Sequence, residues 1–393
     1  MTNQKFIEFG PSPLVEWFAG QITSPVLRLR FLRAYAIPRQ EQVPQRPYKS
    51  WILVSLLVVL PMFTAPASVA PAPVTSGPPE NNKIPLLAFV TPSRPPTVHV
   101  EKAPEIWQVE KTDAFESYSN GLRIENGYSV ANHPRSYLAF SSKRPDDMQG
   151  ERRSVPAGIV FHTTESPQAR FESGQNSALK HIGESLLTWV KLNRSYNFLI
   201  DRFGRVYRVV LEGDAANHAG SSVWSDPEWL YLNLNESFLS VSFETQTLPG
   251  QVEATVNPAQ VRSAAMLTDM LRRRYGIPAT NCVTHAQVSV NASSLRIGYH
   301  LDWASSFPFD QLGLPDNYAL ALPSVALFGF EYDSNFARQA GVRLLHEAEL
   351  GEELLRGGAA AAHEQVPAYR KALQRRYMRQ LSVIRDDATR IDR

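Results

Sequence analysis

The sequence predicts an α/β protein: a mixed central β-sheet flanked by helices, with an N-terminal membrane segment and a C-terminal helical appendage. Three observations lead there. Short β-rich runs alternate with helical patterns between residues 158 and 285. An uncharged apolar run, WILVSLLVVLPMF at 51–63, follows Arg28, Arg30, Arg33, Arg39, Arg46 and Lys49. Beyond residue 319 the pattern is helical throughout.

At 393 residues and 43% hydrophobic, the chain is long enough for one large domain plus attachments. Lys+Arg at 40 against Asp+Glu at 38 leaves a formal +2, so no global basic field argues for nucleic acid. Charged residues at 20% and aromatics at 10% exclude a mostly disordered chain. The single cysteine, Cys282, excludes an internal disulfide framework and a thiolate zinc cluster. A metal or acid–base site must therefore come from His, Asp, Glu and Tyr.

Residues 1–50 read as a basic cytoplasmic segment. Residues 51–70 follow as a signal-anchor, or as a signal peptide with Ala65-Pro66-Ala67 as its cleavage option. The apolar run alone is shorter than the roughly 20 residues of a spanning helix, and the small, uncharged residues after it extend it. The cationic flank keeps the N-terminus inside and sends the remainder out, to the periplasmic side of an inner membrane. Residues 71–104 are Pro-rich and read as an extended spacer, at about 3.1 Å per residue where polyproline-like.

Residues 105–318 form the main domain. Residues 158–162 (GIVFH) read as a buried strand ending in histidine. Residues 177–193 have helical spacing, with Leu179, Ile182, Leu186, Leu187 and Val190 on one face. Residues 195–210 read as a hairpin turning at Phe203-Gly204, and 238–245 as another strand. Asn257 and Pro258 supply the N-cap and first-turn proline of a helix that ends at Tyr275-Gly276. Residues 282–285 are the next strand.

Residues 319–393 form the C-terminal helical region, with helices over 334–356 and 367–393. The second carries an apolar stripe of Tyr369, Leu373, Tyr377, Leu381 and Ile384 among basic residues. It reads as an appendage packed on the domain, or as a face for anionic wall polymer or membrane.

Of nine histidines, four lie in the domain without a ready surface explanation: His162, His218, His285 and His300. His162 and His285 each end an apolar strand, and strand ends along one rim can bring distant ligands together. Two imidazoles and a carboxylate, with a fourth position left to water, is an open catalytic zinc arrangement. Asp302, in YHLDW, is the candidate carboxylate. A thiol–imidazole pair from Cys282 and His285 is disfavoured, because three residues apart on a strand they point to opposite faces.

FHTTES, SYNFLIDRFGRVYRVV, NHAGSS, NLNESFLSVSFE, THAQVSV and YHLDW, in that order, resemble the type 2 N-acetylmuramoyl-L-alanine amidases. That family includes phage lysozyme-type amidases and peptidoglycan-recognition proteins, and the resemblance covers residues 155–314. It implies zinc held by His162, His285 and Asp302. Asp310 is the alternative third ligand, since VNASSLRIGY looks like an insertion that lengthens the interval. It also implies a catalytic Tyr196, or Glu244 in its place. His300 stands where a lysine commonly steadies the oxyanion, and His218 matches a histidine of the substrate groove. The implied activity is zinc-dependent hydrolysis of the amide between N-acetylmuramic acid and L-alanine, in peptidoglycan or muropeptides. The other reading is a non-catalytic peptidoglycan-binding module anchored in the cell envelope.

Overall fold

A computed structural model describes residues 105–391, apart from Pro249 and Val252, and these residues fall within one compact unit. The basic segment, the apolar run at 51–70 and the Pro-rich stretch lie outside the described residues. Among the described residues no helix is long and apolar enough to cross a membrane.

The described residues open with an antiparallel ribbon, β1 (Gln108–Lys111), β2 (Phe115–Tyr118) and β3 (Arg123–Glu125). After β4 (Tyr137–Ser141) and β5 (Glu151–Arg153) comes β6 (Gly158–Thr163), buried along its whole length. Helix α1 (Asn176–Leu192) leads into the hairpin β7 (Phe198–Ile200) and β8 (Val206–Arg208). Then follow β9 (Val223–Ser225), β10 (Trp229–Leu232), the single turn α2 (Leu234–Ser237) and β11 (Phe238–Phe243). Helix α3 (Pro258–Tyr275) precedes β12 (Cys282–Thr284).

The main sheet has eight strands in the order β1-β2-β3-β8-β7-β11-β6-β12. Its centre is parallel: β7, β11, β6 and β12 run together, with Ser242 beside His162 and Thr284 beside Phe161. Parallel strands need both faces covered, which is why β6 and β11 are buried at every position instead of alternating. Ile159, Phe161, Val241 and Phe243 share one core with Leu267, Met270 and Leu271 of α3. Leu186, Leu187 and Val190 of α1 pack on Leu199 and Tyr207 across the other face. The cap expected for α3 is present: Asn257 Oδ1 accepts from the backbone N–H groups of Ala259 and Gln260, and Gly276 closes the helix in the left-handed region. Cys282 is fully buried and its thiol is pushed up to about 12 by burial, so it is no nucleophile.

Space at the N-terminal end of β6 is tight. A Cβ on Gly158 would lie 2.2 Å from Phe238 Cε2 and 2.5 Å from the Asn281 carbonyl. Gly158→Ala is expected to lower stability by about 1–3 kcal/mol, read by denaturant titration, through overpacking of that junction. An unchanged midpoint would mean that the strand ends yield more than a packed core allows.

The C-terminal region departs from the sequence reading in one respect. The helix expected over 334–356 is two helices, α6 (Ser334–Ala340) and α7 (Val342–Ala361), separated at Gly341. Backbone there presses on the domain: a Cβ at 341 would meet Ser305 Cβ at 2.7 Å, so a side chain could not follow the chain through. With α5 (Pro323–Phe328) and α8 (Val366–Ile391), these helices cover a second, four-stranded sheet of order β5-β4-β10-β9. Phe140, Leu230 and Leu232 from that sheet share a core with Val325, Phe328, Leu344, Ala348 and Tyr377.

Candidate active site

β6 ends at the rim toward which all four parallel strands point, and His162 sits there on the α1 side of the sheet. His285 does not end a strand, as its spacing suggests, but opens α4 (His285–Val288), a single turn after β12. That turn leads into β13 (Val290–Asn291) and β14 (Arg296–Ile297), an antiparallel hairpin within the stretch that reads as an insertion. Asp302 follows. Its carbonyl accepts from Ala286 N–H at 3.2 Å, and the next residue, Trp303, is buried in the left-handed region with its N–H on Thr247 Oγ1. Burial of the Trp303 ring thus fixes where the Asp302 carboxylate emerges.

The three side chains converge. Asp302 Oδ2 lies 3.1 Å from His162 Nδ1 and 3.0 Å from His285 Nδ1, and the imidazole centroids are 4.4 Å apart. One donor atom from each fits within 4.8 Å of the others. The two Nδ1–Oδ2 spacings of 3.1 and 3.0 Å are close to the roughly 3.3 Å edge of a tetrahedral site with bonds of roughly 2.0–2.1 Å. His285 Nε2 is also buried without a hydrogen-bond partner. Two imidazoles and one carboxylate form a donor set that zinc fits. Asp310 lies exposed in a separate turn and does not join the group.

Electrostatics keep the group ready for a cation. Burial, then the neighbouring His285, pushes the His162 pKa down to about 4, so this imidazole is neutral at pH 7. Burial alone would raise the Asp302 pKa. His285 and the hydrogen bonds from both imidazoles outweigh it and hold the carboxyl well below the usual carboxylate range.

The remaining predicted residues fall around this centre at different distances. Tyr196 precedes β7 instead of lying on it, with φ at 63°, and its ring centroid is 5.1 Å from that of His162. Asn197 holds this segment to β11 by exchanging hydrogen bonds with Ser240. Burial raises the Tyr196 pKa above its ordinary value, so the phenol stays protonated through neutral pH. His218 Nδ1 is 3.1 Å from His162 Nε2, on a loop whose N–H groups at 218 and 219 both donate to Asn235 Oδ1. His300 stacks on His285 with centroids 4.4 Å apart. Glu244 lies elsewhere: its carboxylate accepts from the Arg202 N–H at 3.1 Å, and burial pushes it up to about 7.

Glu165 was not singled out by the sequence. Its carboxylate accepts from Thr163 Oγ1 at 2.5 Å and from Thr247 N–H at 2.9 Å, linking the end of β6 to the loop beneath Trp303. Only its left-handed backbone, φ 51°, marks it, and that is invisible without coordinates. Two cavities open beside the group. One of about 260 Å³ is walled by His300, Tyr299, Gly220, Ser221 and the insertion hairpin. Another of about 440 Å³ lies between Thr164, Ser166 and the His181–Trp189 face of α1.

Residues 152–296 match the family model described as N-acetylmuramoyl-L-alanine amidase. The match takes in His162, Tyr196, His218, Glu244 and His285 and stops before Asp302. No curated protein matches the chain. Among solved structures the chain is similar to the amidase LysC of Clostridium intestinale, at 18% identity over 48% of this chain and 93% of that one, TM-score 0.27. It is also similar to AmiD of E. coli, solved with anhydro-N-acetylmuramic acid-L-Ala-D-gamma-Glu-L-Lys, at 22% identity over 40% and 56%, TM-score 0.30. A third is AmpDh3 of Pseudomonas aeruginosa in complex with an anhydromuramic pentapeptide, at 19% over 40% and 58%, TM-score 0.30. Residues 152–296, with the His162–His285 pair inside them, thus form an N-acetylmuramoyl-L-alanine amidase domain.

Proposed function

We propose that the chain hydrolyses, with zinc, the amide joining N-acetylmuramic acid to L-alanine in peptidoglycan or its fragments. The observation that carries this reading is the convergence of His162, His285 and Asp302 within the family's matched domain. Zinc, when bound there, supplies a water of pKa near about 7 and polarises the scissile carbonyl. The protein does the rest. His162 stays neutral and Asp302 charged, so neither need lose a proton near neutral pH to meet a cation. Tyr196, protonated and close to His162, orients the attacking water by hydrogen bonding. His300, stacked on His285, donates to the oxyanion that forms at the carbonyl. His218, on the loop beside the smaller cavity, contacts the substrate. Glu244 is the weaker candidate for the base, because its carboxylate is engaged by the β7–β8 turn.

Purified chain should carry close to one zinc per molecule and release stem peptide from peptidoglycan. Wall binding without metal or cleavage would favour the non-catalytic module instead. Tyr196→Phe is expected to lower kcat by roughly 10²–10⁴-fold with zinc retained, whereas Glu244→Gln leaves kcat nearly unchanged. The reverse ranking would move the base to Glu244. The basic flank, apolar run and Pro-rich spacer support an enzyme working outside an inner membrane to which residues 51–70 anchor it. Membrane fractionation with external protease digestion tests that placement, and a cytosolic, protease-protected chain would overturn it.

A further inference from the structure

The C-terminal region lies beyond the family match, yet it grips the stretch carrying His285 and Asp302 at three places. Glu347 of α7 is fully buried, and its Oε1 accepts from Gln287 Nε2. The same Gln287 caps the turn, its Oε1 accepting from Thr284 N–H at 2.8 Å and its Nε2 donating to the Asn317 carbonyl at 3.1 Å. Thr284 and Gln287 flank His285. Next, the insertion hairpin is extended by Glu331: Ile297 N–H donates to its carbonyl at 3.0 Å and its own N–H donates to the Leu295 carbonyl at 2.8 Å. Just past Asp302, Ser305 Oγ accepts from Arg343 N–H at 3.0 Å where Gly341 presses on the domain.

Glu347 is the telling contact. It sits on the core face of α7 with Leu344, Leu345, Ala348 and Gly351, where a leucine would avoid all cost of burying a carboxyl. Its second oxygen, Oε2, is buried without a hydrogen-bond partner. Burial pushes its pKa well above the ordinary carboxylate range. A group held at such cost is explained if its hydrogen bond to Gln287 fixes a geometry that apolar packing would leave loose.

We propose that the C-terminal helical region is a brace for the metal-ligand segment 285–302, and that Glu347 is a positioning residue acting on His285 through Gln287. The proposal rests on the zinc reading above. The test compares Glu347→Leu and Glu347→Gln in the full chain. Zinc affinity is measured by chelator competition, kcat and KM on muropeptide, and amide hydrogen exchange across 282–302. Glu347→Leu should weaken zinc binding about 10–100-fold, lower kcat with KM little changed, and speed exchange across 285–302. Melting temperature of the metal-free protein should not fall. Glu347→Gln, which keeps an acceptor for Gln287, should restore most of the affinity. If Glu347→Leu fails to fold, Gln287→Ala carries the same comparison. Unchanged zinc affinity and unchanged exchange in the leucine variant would overturn the brace, as would loss of affinity that glutamine does not rescue. A parent chain that binds no zinc would instead sink the metal reading, and hydrogen exchange would still decide the brace.

Discussion

His285→Ala is expected to strip zinc from the purified chain and to cut stem-peptide release by at least about 10³-fold, roughly 4 kcal/mol of barrier. Removing one of three donors leaves a histidine and a carboxylate, too few for a catalytic zinc site. The fold should survive, because α4 is held without the imidazole: Ser289 N–H donates to the His285 carbonyl and Thr284 N–H to Gln287 Oε1. Asp302 also keeps His162 as a partner. His162→Ala should behave alike in activity, with the added loss of the ring beside Tyr196. Metal content, peptide release and a thermal melt are the three measurements. Activity retained by either variant would show that the metal group is not the catalytic centre.

Arg208→Ala is the substitution expected to cost most in stability, about 3–5 kcal/mol, because it strands buried carboxylates. The Arg208 guanidinium pairs with Glu212 through two hydrogen bonds of 2.9 Å, with Glu116 at 2.9 Å and with Asn126 Oδ1 at 2.6 Å. Burial would raise the Glu116 pKa, but Arg208 and the Tyr118 hydroxyl outweigh it and hold the carboxyl at about 2. Its folded pKa is thus below its unfolded one. The resulting stability is fully present above about pH 4.5 and fades as pH falls toward 2. Denaturant midpoints at pH 7 and pH 3 should converge for Arg208→Ala relative to the parent. A parent-like midpoint at pH 7 would mean that water enters and solvates the stranded acids.

Much of the site was legible because local signals and global packing agree around β6. His162 ends a short apolar strand, and strand ends along one rim can bring distant ligands together. The N-cap and left-handed end of α3 were equally local features. Legibility failed where one residue's neighbours come from far along the chain. His285 looked like a strand end because β12 is three residues long, and only its pairing with β6 shows where the strand stops. Gly341 breaks a helix through a contact with Ser305, which no helical periodicity records. The second sheet escaped notice because its strands are three to five residues long, too short for a pattern to emerge. Glu347 did leave a trace, a charged residue on an otherwise apolar helix face, and that trace is the signal to look for elsewhere.

Cys282, inert as a catalyst, makes a clock. Its sulfur is sealed between β6 and α3, beside Ile159 and three residues before His285, and it is the chain's one thiol. A thiol-specific reagent can reach it only when β12 leaves the sheet. The labelling rate of the unmodified protein therefore reports how often the rim that carries the metal ligands comes apart. Because no second cysteine competes, the same measurement can follow each variant above without adding a probe.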